Sequence, residues 1–105
     1  TTGINNVAIG SNALGKNITG VENSALGVSA LSQNTAGNYN SAFGRQALAN
    51  TTSSNSTAIG YQALFTSTAA NLVAVGYKAL YSNTTGVENT AVGYNALYAN
   101  SIGTQ

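Results

Sequence analysis

The hydrophobic residues of this chain recur in one pattern, an alanine followed by a bulky apolar residue and a glycine. An Ala-Leu pair begins three residues after each glycine, and polar residues rich in Asn, Ser and Thr fill the rest of each repeat. Successive copies lie 16 or 17 residues apart along the 105-residue chain. A short fixed period of this kind is typical of solenoids, in which each repeat buries its apolar residues against its neighbours.

A single repeat, residues 74–90, reads as two short strands and a polar return. Residues 74–81 are rich in β-formers and show no apolar stripe of helical period, which predicts strands. Residues 82–89 contain the Ser, Asn, Thr and Gly typical of turns. We therefore predict an all-β fold, a parallel β-roll (β-solenoid) of six 16–17-residue coils. Its strands should lie about 4.7–4.9 Å apart.

Side chains alternate along a strand, so each repeat has two faces. We predict that the bulky residues and the leucines form a core ladder, and that the alanines and glycines form a close-packing face open to another backbone. A narrow coil buries little surface alone, which favours a parallel homotrimer that covers both faces. The core ladder comprises Ile9, Leu26, Phe43, Ile59, Val75, Val92, Leu14, Leu31, Leu48, Leu64, Leu80 and Leu97. The close-packing face comprises Ala8, Gly10, Ala25, Gly27, Ala42, Gly44, Ala58, Gly60, Ala74, Gly76, Ala91 and Gly93.

Two returns, residues 49–57 and 65–73, are one residue shorter than the others. Both lack the glycine found in the longer returns. Because glycine tolerates positive φ, its loss predicts a different turn type in these two coils.

Aromatic residues recur at two positions of the last three repeats. One set follows the glycine and the other follows the Ala-Leu pair, so stacking in register should form a stripe along the C-terminal half. Such a stripe suits a glycan surface, a structural ladder or the seam between subunits. The candidate glycan or subunit contacts are Tyr61, Tyr77, Tyr94, Phe65, Tyr81 and Tyr98.

Charge is scarce, with only Lys16, Glu22, Arg45, Lys78 and Glu88 ionised. No basic stripe is present to neutralise phosphates, which argues against nucleic-acid binding. No apolar run approaches the roughly 20 residues of a membrane-spanning helix, which argues against membrane insertion.

The residue types needed for most catalysis are missing. The chain has no His, Cys or Asp, so neither a Ser-His-Asp triad nor the usual zinc ligand sets can form. Glu22 and Glu88 occupy equivalent places four coils apart, roughly 19 Å along the rod. Glycosidase carboxylates need about 5–9.5 Å. We expect no catalytic, cofactor or metal site.

Two phrases resemble repeats of known fibrous proteins. Residues 23–27 (Asn-Ser-Ala-Leu-Gly) and 89–93 (Asn-Thr-Ala-Val-Gly) resemble the Asn-Ser-x-Ala-x-Gly head repeats of YadA-like trimeric autotransporter adhesins. The longer stretch 83–97 is similar to repeats of bacteriophage tail fibres and bacterial surface fibres. The adhesin heads repeat at about 14 residues, a shorter period than the one here. The resemblance implies a trimeric, left-handed parallel β-roll used for host or surface attachment.

The function expected is therefore a structural fibre, stalk or head segment of an adhesin or tail fibre. Residues 1–105 would be one repeat array within a longer fibre, located outside the cell at a cell or virion surface. Three alternatives remain: an extracellular filament of end-to-end solenoid units, a glycan-binding module that uses the tyrosine stripe, and an ice-binding solenoid. The threonines do not keep one register through all coils, which argues against an ice-binding surface. The expected partners are further copies of the chain and a host-surface glycan or protein.

Overall fold

The computed structural model describes residues 3–103, and within them every regular element is a short strand. The all-β solenoid predicted from the repeat is confirmed. The strands are β1 (Val7–Ile9), β2 (Ser24–Leu26), β3 (Ser41–Phe43), β4 (Asn50–Thr51), β5 (Thr57–Ile59), β6 (Thr66–Ser67), β7 (Val73–Val75) and β8 (Thr90–Val92).

Six of these strands form one parallel sheet in the order β1-β2-β3-β5-β7-β8. Each strand pairs with its equivalent one repeat later, so that Ala25 lies beside Ala42 and Ala42 beside Ala58. Strands β4 and β6 form a second, two-stranded parallel sheet. The chain thus winds through one coil per repeat. We number the coils 1 to 6 by the central alanine of each strand: Ala8, Ala25, Ala42, Ala58, Ala74 and Ala91.

The orientation of the six-stranded sheet is opposite to the one predicted. The alanines from Ala25 to Ala91 are buried inside the coil, while Ala8 of coil 1 is exposed. The bulky residue next to each alanine points outward: Leu26 is 44% exposed and Phe43 39%. The alternation was read correctly, but the larger side chain was wrongly assigned to the core. In coils 1 to 5 the core already holds the leucine of the Ala-Leu pair, which leaves room for no more than the alanine methyl. The bulky residues wrongly placed in the core of the single chain are Ile9, Leu26, Phe43, Ile59, Val75 and Val92.

The leucine half of the predicted core ladder is confirmed in coils 1 to 5. Leu31, Leu48, Leu64 and Leu80 are fully buried, and Leu14 is 8% exposed. Leu97 in coil 6 is 49% exposed, so it departs from the prediction.

The glycines after the bulky residues do admit a second backbone, as predicted, but the backbone belongs to the next coil. A Cβ built on Gly60 would lie 2.5 Å from the carbonyl oxygen of Gly76. Gly60 and its equivalents also have φ near +130°, which L side chains rarely adopt. The glycine row therefore packs coil on coil, and the prediction that it faces a neighbouring chain is wrong.

Asparagine amides hold the returns together from inside the coil. Asn23 and Asn34 are buried, and both donate to the carbonyl oxygen of Gly37, at 2.8 and 3.0 Å. Gly20 and Gly103 each accept from an equivalent pair of amides. Within residues 3–103, no buried side-chain nitrogen or oxygen lacks a hydrogen-bond partner. These amides satisfy backbone groups that the turns would otherwise leave unpaired.

The two short coils replace this amide by a hydroxyl. In a long return, the Asn34 side chain accepts a hydrogen bond from the N–H of Gly37, three residues on. In the next coil Thr51 takes the place of Asn34 and accepts from the N–H of Ser53, two residues on. The tighter turn accounts for the lost residue. A different turn type is confirmed, but positive φ is not the reason: Gly37 is needed because a Cβ there would collide with the Ser53 carbonyl.

Candidate functional site

Each strand of the six-stranded sheet has two outward side chains: a bulky apolar residue after the alanine, and a Val, Ser or Thr before it. The bulky residues stack in register because their strands pair residue by residue, as Leu26 does with Phe43 and Phe43 with Ile59. We call this row the apolar strip; it comprises Ile9, Leu26, Phe43, Ile59, Val75 and Val92. Five strand spacings make it about 24 Å long. Val75 is half-buried and the other five are exposed. An apolar row of this kind is typical of a surface that packs against another molecule.

The aromatic residues stack as two columns, each with one ring per coil. In the first column the ring centroids of Tyr61 and Tyr77 lie 5.3 Å apart, and those of Tyr77 and Tyr94 lie 5.0 Å apart. In the second column Phe65 and Tyr81 are 5.1 Å apart. The spacing from Tyr81 to Tyr98 is 4.9 Å, with the planes 3° apart. The predicted stripe therefore forms as in-register ladders.

This stacking limits what the columns can bind. A sugar binds an aromatic side chain by lying on the face of its ring, whereas here each ring covers the face of the ring in the next coil. The ring of Tyr77 has Tyr61 on one side and Tyr94 on the other. In the middle of the column only ring edges and hydroxyl groups face solvent. The geometry favours a structural or subunit-contact role for the tyrosines over glycan stacking.

Two cations accompany the columns. The Arg45 guanidinium lies 6.0 Å from the ring centre of Tyr61, and Lys78 Nζ lies 5.3 Å from that of Tyr77 and 5.4 Å from that of Tyr81. Desolvation acts to lower the pKa of Lys78, but the hydrogen bond with Tyr77 and the charge interactions with Tyr77, Tyr98 and Tyr61 together outweigh it and raise the pKa. Lys78 therefore stays cationic at neutral pH and bridges the two columns.

Sequence reading missed a threonine column on the return. Thr52 and Thr68 follow the paired strands β4 and β6, and Thr84 lies in the next coil. The Thr68 hydroxyl donates to the carbonyl of Thr84 at 2.7 Å, and the Thr84 hydroxyl to that of Ser101 at 3.0 Å. The register can be read from the sequence by counting from the Ala-Leu pair, since each of these threonines lies four residues after the leucine of its coil. Hydroxyls already bonded to the next coil are poorly suited to ordering ice.

No group of three or more His, Cys, Asp or Glu side chains comes together within residues 3–103. No pocket is found in this part of the chain. Glu22 and Glu88 are both exposed and lie in coils 2 and 6. Among residues 3–103, no helix is long and apolar enough to cross a membrane.

The chain was compared with protein-family models, curated proteins and solved structures, and no significant match was found.

Proposed function

We propose that this chain is a structural segment of a surface fibre, which packs side by side with further copies of itself through the apolar strip. The observation that carries the proposal is the exposure of the strip, with bulky residues such as Leu26, Phe43 and Ile59 outside the coil. A soluble rod gains from covering such a surface, and the partner that matches its repeat in every coil is another copy.

The fold supports a role in spanning distance. Every coil is hydrogen-bonded to the next by a parallel ladder, and the described chain measures 34 × 21 × 15 Å. Adding coils lengthens a solenoid without changing its cross-section. The resemblance to YadA-like head repeats and tail-fibre repeats points the same way. We assign the segment to an extracellular fibre for host or surface attachment, with three copies around a shared axis.

The structure changes which face would meet in such an assembly. The sequence pattern suggested that alanines and glycines face the neighbouring chain, but the coil uses them internally. The bulky residues of the apolar strip, instead of the alanines and glycines, would form the proposed interface. The first aromatic column begins two residues after the strip, so Tyr61, Tyr77 and Tyr94 would lie at the edge of that interface.

Sedimentation of the purified chain over a concentration series tests the proposal. We expect a species of three times the chain mass, and its loss when Phe43→Lys places a charge in the middle of the strip. Thr52→Lys is the matched control, because Thr52 is exposed on the return, away from the strip. A wild-type chain that stays monomeric up to about 1 mM, a weak affinity for a specific interface, would overturn the proposal. Growth beyond three copies would favour the end-to-end filament.

A further inference from the structure

The charges of the chain are sorted by sign on the two sides of the apolar strip. Glu22 and Glu88 both lie three residues before the alanine of their coil. Arg45 lies three residues after its alanine and Lys78 four residues after its own. We call these positions the leading flank and the trailing flank. Of the five charged residues in the chain, only Lys16 lies on neither flank.

Within one chain the strip lies between the opposite charges. Glu22 and Arg45 lie in coils 2 and 3, and Glu88 and Lys78 lie in coils 6 and 5. Glu22 and Glu88 are exposed. Arg45 and Lys78 rest instead on tyrosine rings. The four charges are therefore free to pair with another molecule.

Resting on the proposed function, we infer that these charges set the orientation of neighbouring copies, with Glu22 pairing with Arg45 and Glu88 with Lys78 of the adjacent copy. When two copies face each other with parallel axes, the leading flank of one lies opposite the trailing flank of the other. The same holds at each seam of a three-fold assembly. Acidic residues then meet basic ones at every seam.

Antiparallel packing brings like flanks together. The antiparallel register that places coil 2 opposite coil 6 also places coil 3 opposite coil 5. Glu22 then faces Glu88, and Arg45 faces Lys78. Like charges at an interface disfavour that arrangement, so the pattern selects parallel copies by repulsion as well as by attraction.

The charges also specify how far one copy is shifted along another. With equal coils aligned, Arg45 is one coil beyond Glu22 and Lys78 is one coil before Glu88, an offset of about 4.8 Å for each pair. A slip of one coil makes one pair level but separates the other by two coils, about 9.6 Å. Long side chains can span the offset of about 4.8 Å in the aligned arrangement. After a slip they cannot span the offset of about 9.6 Å in the second pair. Aligned coils keep both pairs and overlap the strip fully.

Charge reversal tests the inference. We expect Glu22→Lys or Arg45→Glu alone to weaken association roughly 5-fold for each seam, the upper range for one exposed ion pair. The double variant should restore it, since the charges swap flanks and pair again. Glu88→Lys and Lys78→Glu should behave in the same way. Lys16→Glu is the control and should leave association unchanged.

Cross-linking tests the orientation directly, because the chain has no cysteine of its own. A Glu88→Cys chain mixed with a Lys78→Cys chain should be joined by a bifunctional thiol-reactive cross-linker, whose spacer covers the offset between the two positions, whereas Glu22→Cys with Glu88→Cys should not. The reverse result would overturn the inference. If Phe43→Lys dissociates the copies but the charge reversals have no effect, the inference fails and the fibre proposal stands. If the wild-type chain does not associate, both fail.

Discussion

Backbone conformation at single residues decides which side chains each position of a coil accepts. In coil 4, Asn55, Gln62 and Leu64 have φ of 59°, 54° and 51°, and equivalent residues of the other coils have similar values. An L residue in this left-handed region costs roughly 1–2 kcal/mol. Burial of the leucine side chain contributes about 2 kcal/mol and offsets the cost. The chain therefore turns its corners at the same three positions in every coil.

The glycine after the bulky residue should be the least replaceable residue of the repeat. Gly60→Ala combines an unfavourable φ with a collision between the new Cβ and the Gly76 carbonyl. Gly93 has the same φ, but a Cβ there would meet only the Ala96 methyl, at 3.9 Å. We expect Gly93→Ala to cost about 1–2 kcal/mol of unfolding free energy. Gly60→Ala should cost at least about 2 kcal/mol more, as overpacking adds to the strain. Urea denaturation measures both, and equal losses would show that the collision is relieved by a small shift.

A second prediction concerns the left-handed corners. Ser29 has φ of 59°, where a β-branched side chain is strongly disfavoured. We expect Ser29→Val to lower the unfolding free energy by about 1–2 kcal/mol. Ser24→Val is the matched control, because Ser24 lies in β2 and its equivalents Val7 and Val73 are already valine. Thermal unfolding should show a lower midpoint for Ser29→Val alone. Similar midpoints for the two variants would contradict this reading of the corner.

At the scale of the strand and the return, the sequence predicted the first strand of each coil but not which face points inward. The second strand predicted within residues 74–81 is wrong, because the chain turns after Val75, with Lys78 and Leu80 at positive φ. The period, the parallel pairing and the stacked tyrosines follow from landmarks that repeat without exception. Alternation over three residues, such as Ser41 to Phe43, separates two faces without saying which is inside. The bulky residues were predicted to point inward because of their size. The buried leucines leave space for the alanines only, so the bulky residues point outward. The asparagine amides are structural, since they donate hydrogen bonds to glycine carbonyls inside the coil.

Replacing a buried asparagine amide by a group that cannot donate a hydrogen bond should destabilise the coil. The Asn23 side-chain amide donates to the Gly37 carbonyl at 2.8 Å, and its Oδ1 accepts from the backbone N–H of Asn40 at 3.0 Å. Asn23→Asp keeps the acceptor but puts a carboxylate against the Gly37 oxygen, so we expect a loss of about 3 kcal/mol at pH 7. Asn71→Asp, at an exposed corner, should cost little.

The loss should depend on pH in a defined direction. Burial raises the pKa of the introduced carboxyl above its unfolded value of about 4. Stability is then greatest below pH 4 and falls as the pH rises through the folded-state pKa, since the protonated acid can donate to Gly37. The midpoint of Asn23→Asp should therefore be closer to that of Asn71→Asp at pH 3 than at pH 7. A constant difference between them would mean that the carboxylate finds water or another donor.

At the scale of the whole molecule, stability should depend on position along the rod. Each coil packs on its two neighbours, so a coil in the middle is covered on both sides. Leu64 is fully buried in coil 4, whereas Leu97 in coil 6 is 49% exposed. In a linear array of this kind, loss of an inner coil removes two interfaces and loss of an outer coil removes one. The repeat pattern makes the six leucines look equivalent, but Leu97 is exposed whereas the other five are buried.

Leucine truncation at these two positions tests the linear array. Leu64→Ala should cost about 2–5 kcal/mol, the range for a fully buried leucine. Because coil 4 joins both halves, amide exchange should speed up on either side of it. Leu97→Ala should cost about 1 kcal/mol or less, since half of the side chain already contacts water, with faster exchange confined to coils 5 and 6. Hydrogen exchange followed residue by residue separates these outcomes. If Leu97→Ala instead accelerated exchange equally in coils 1 to 6, the rod would unfold as one cooperative unit, and an association that depends on aligned coils would respond to damage anywhere along its length.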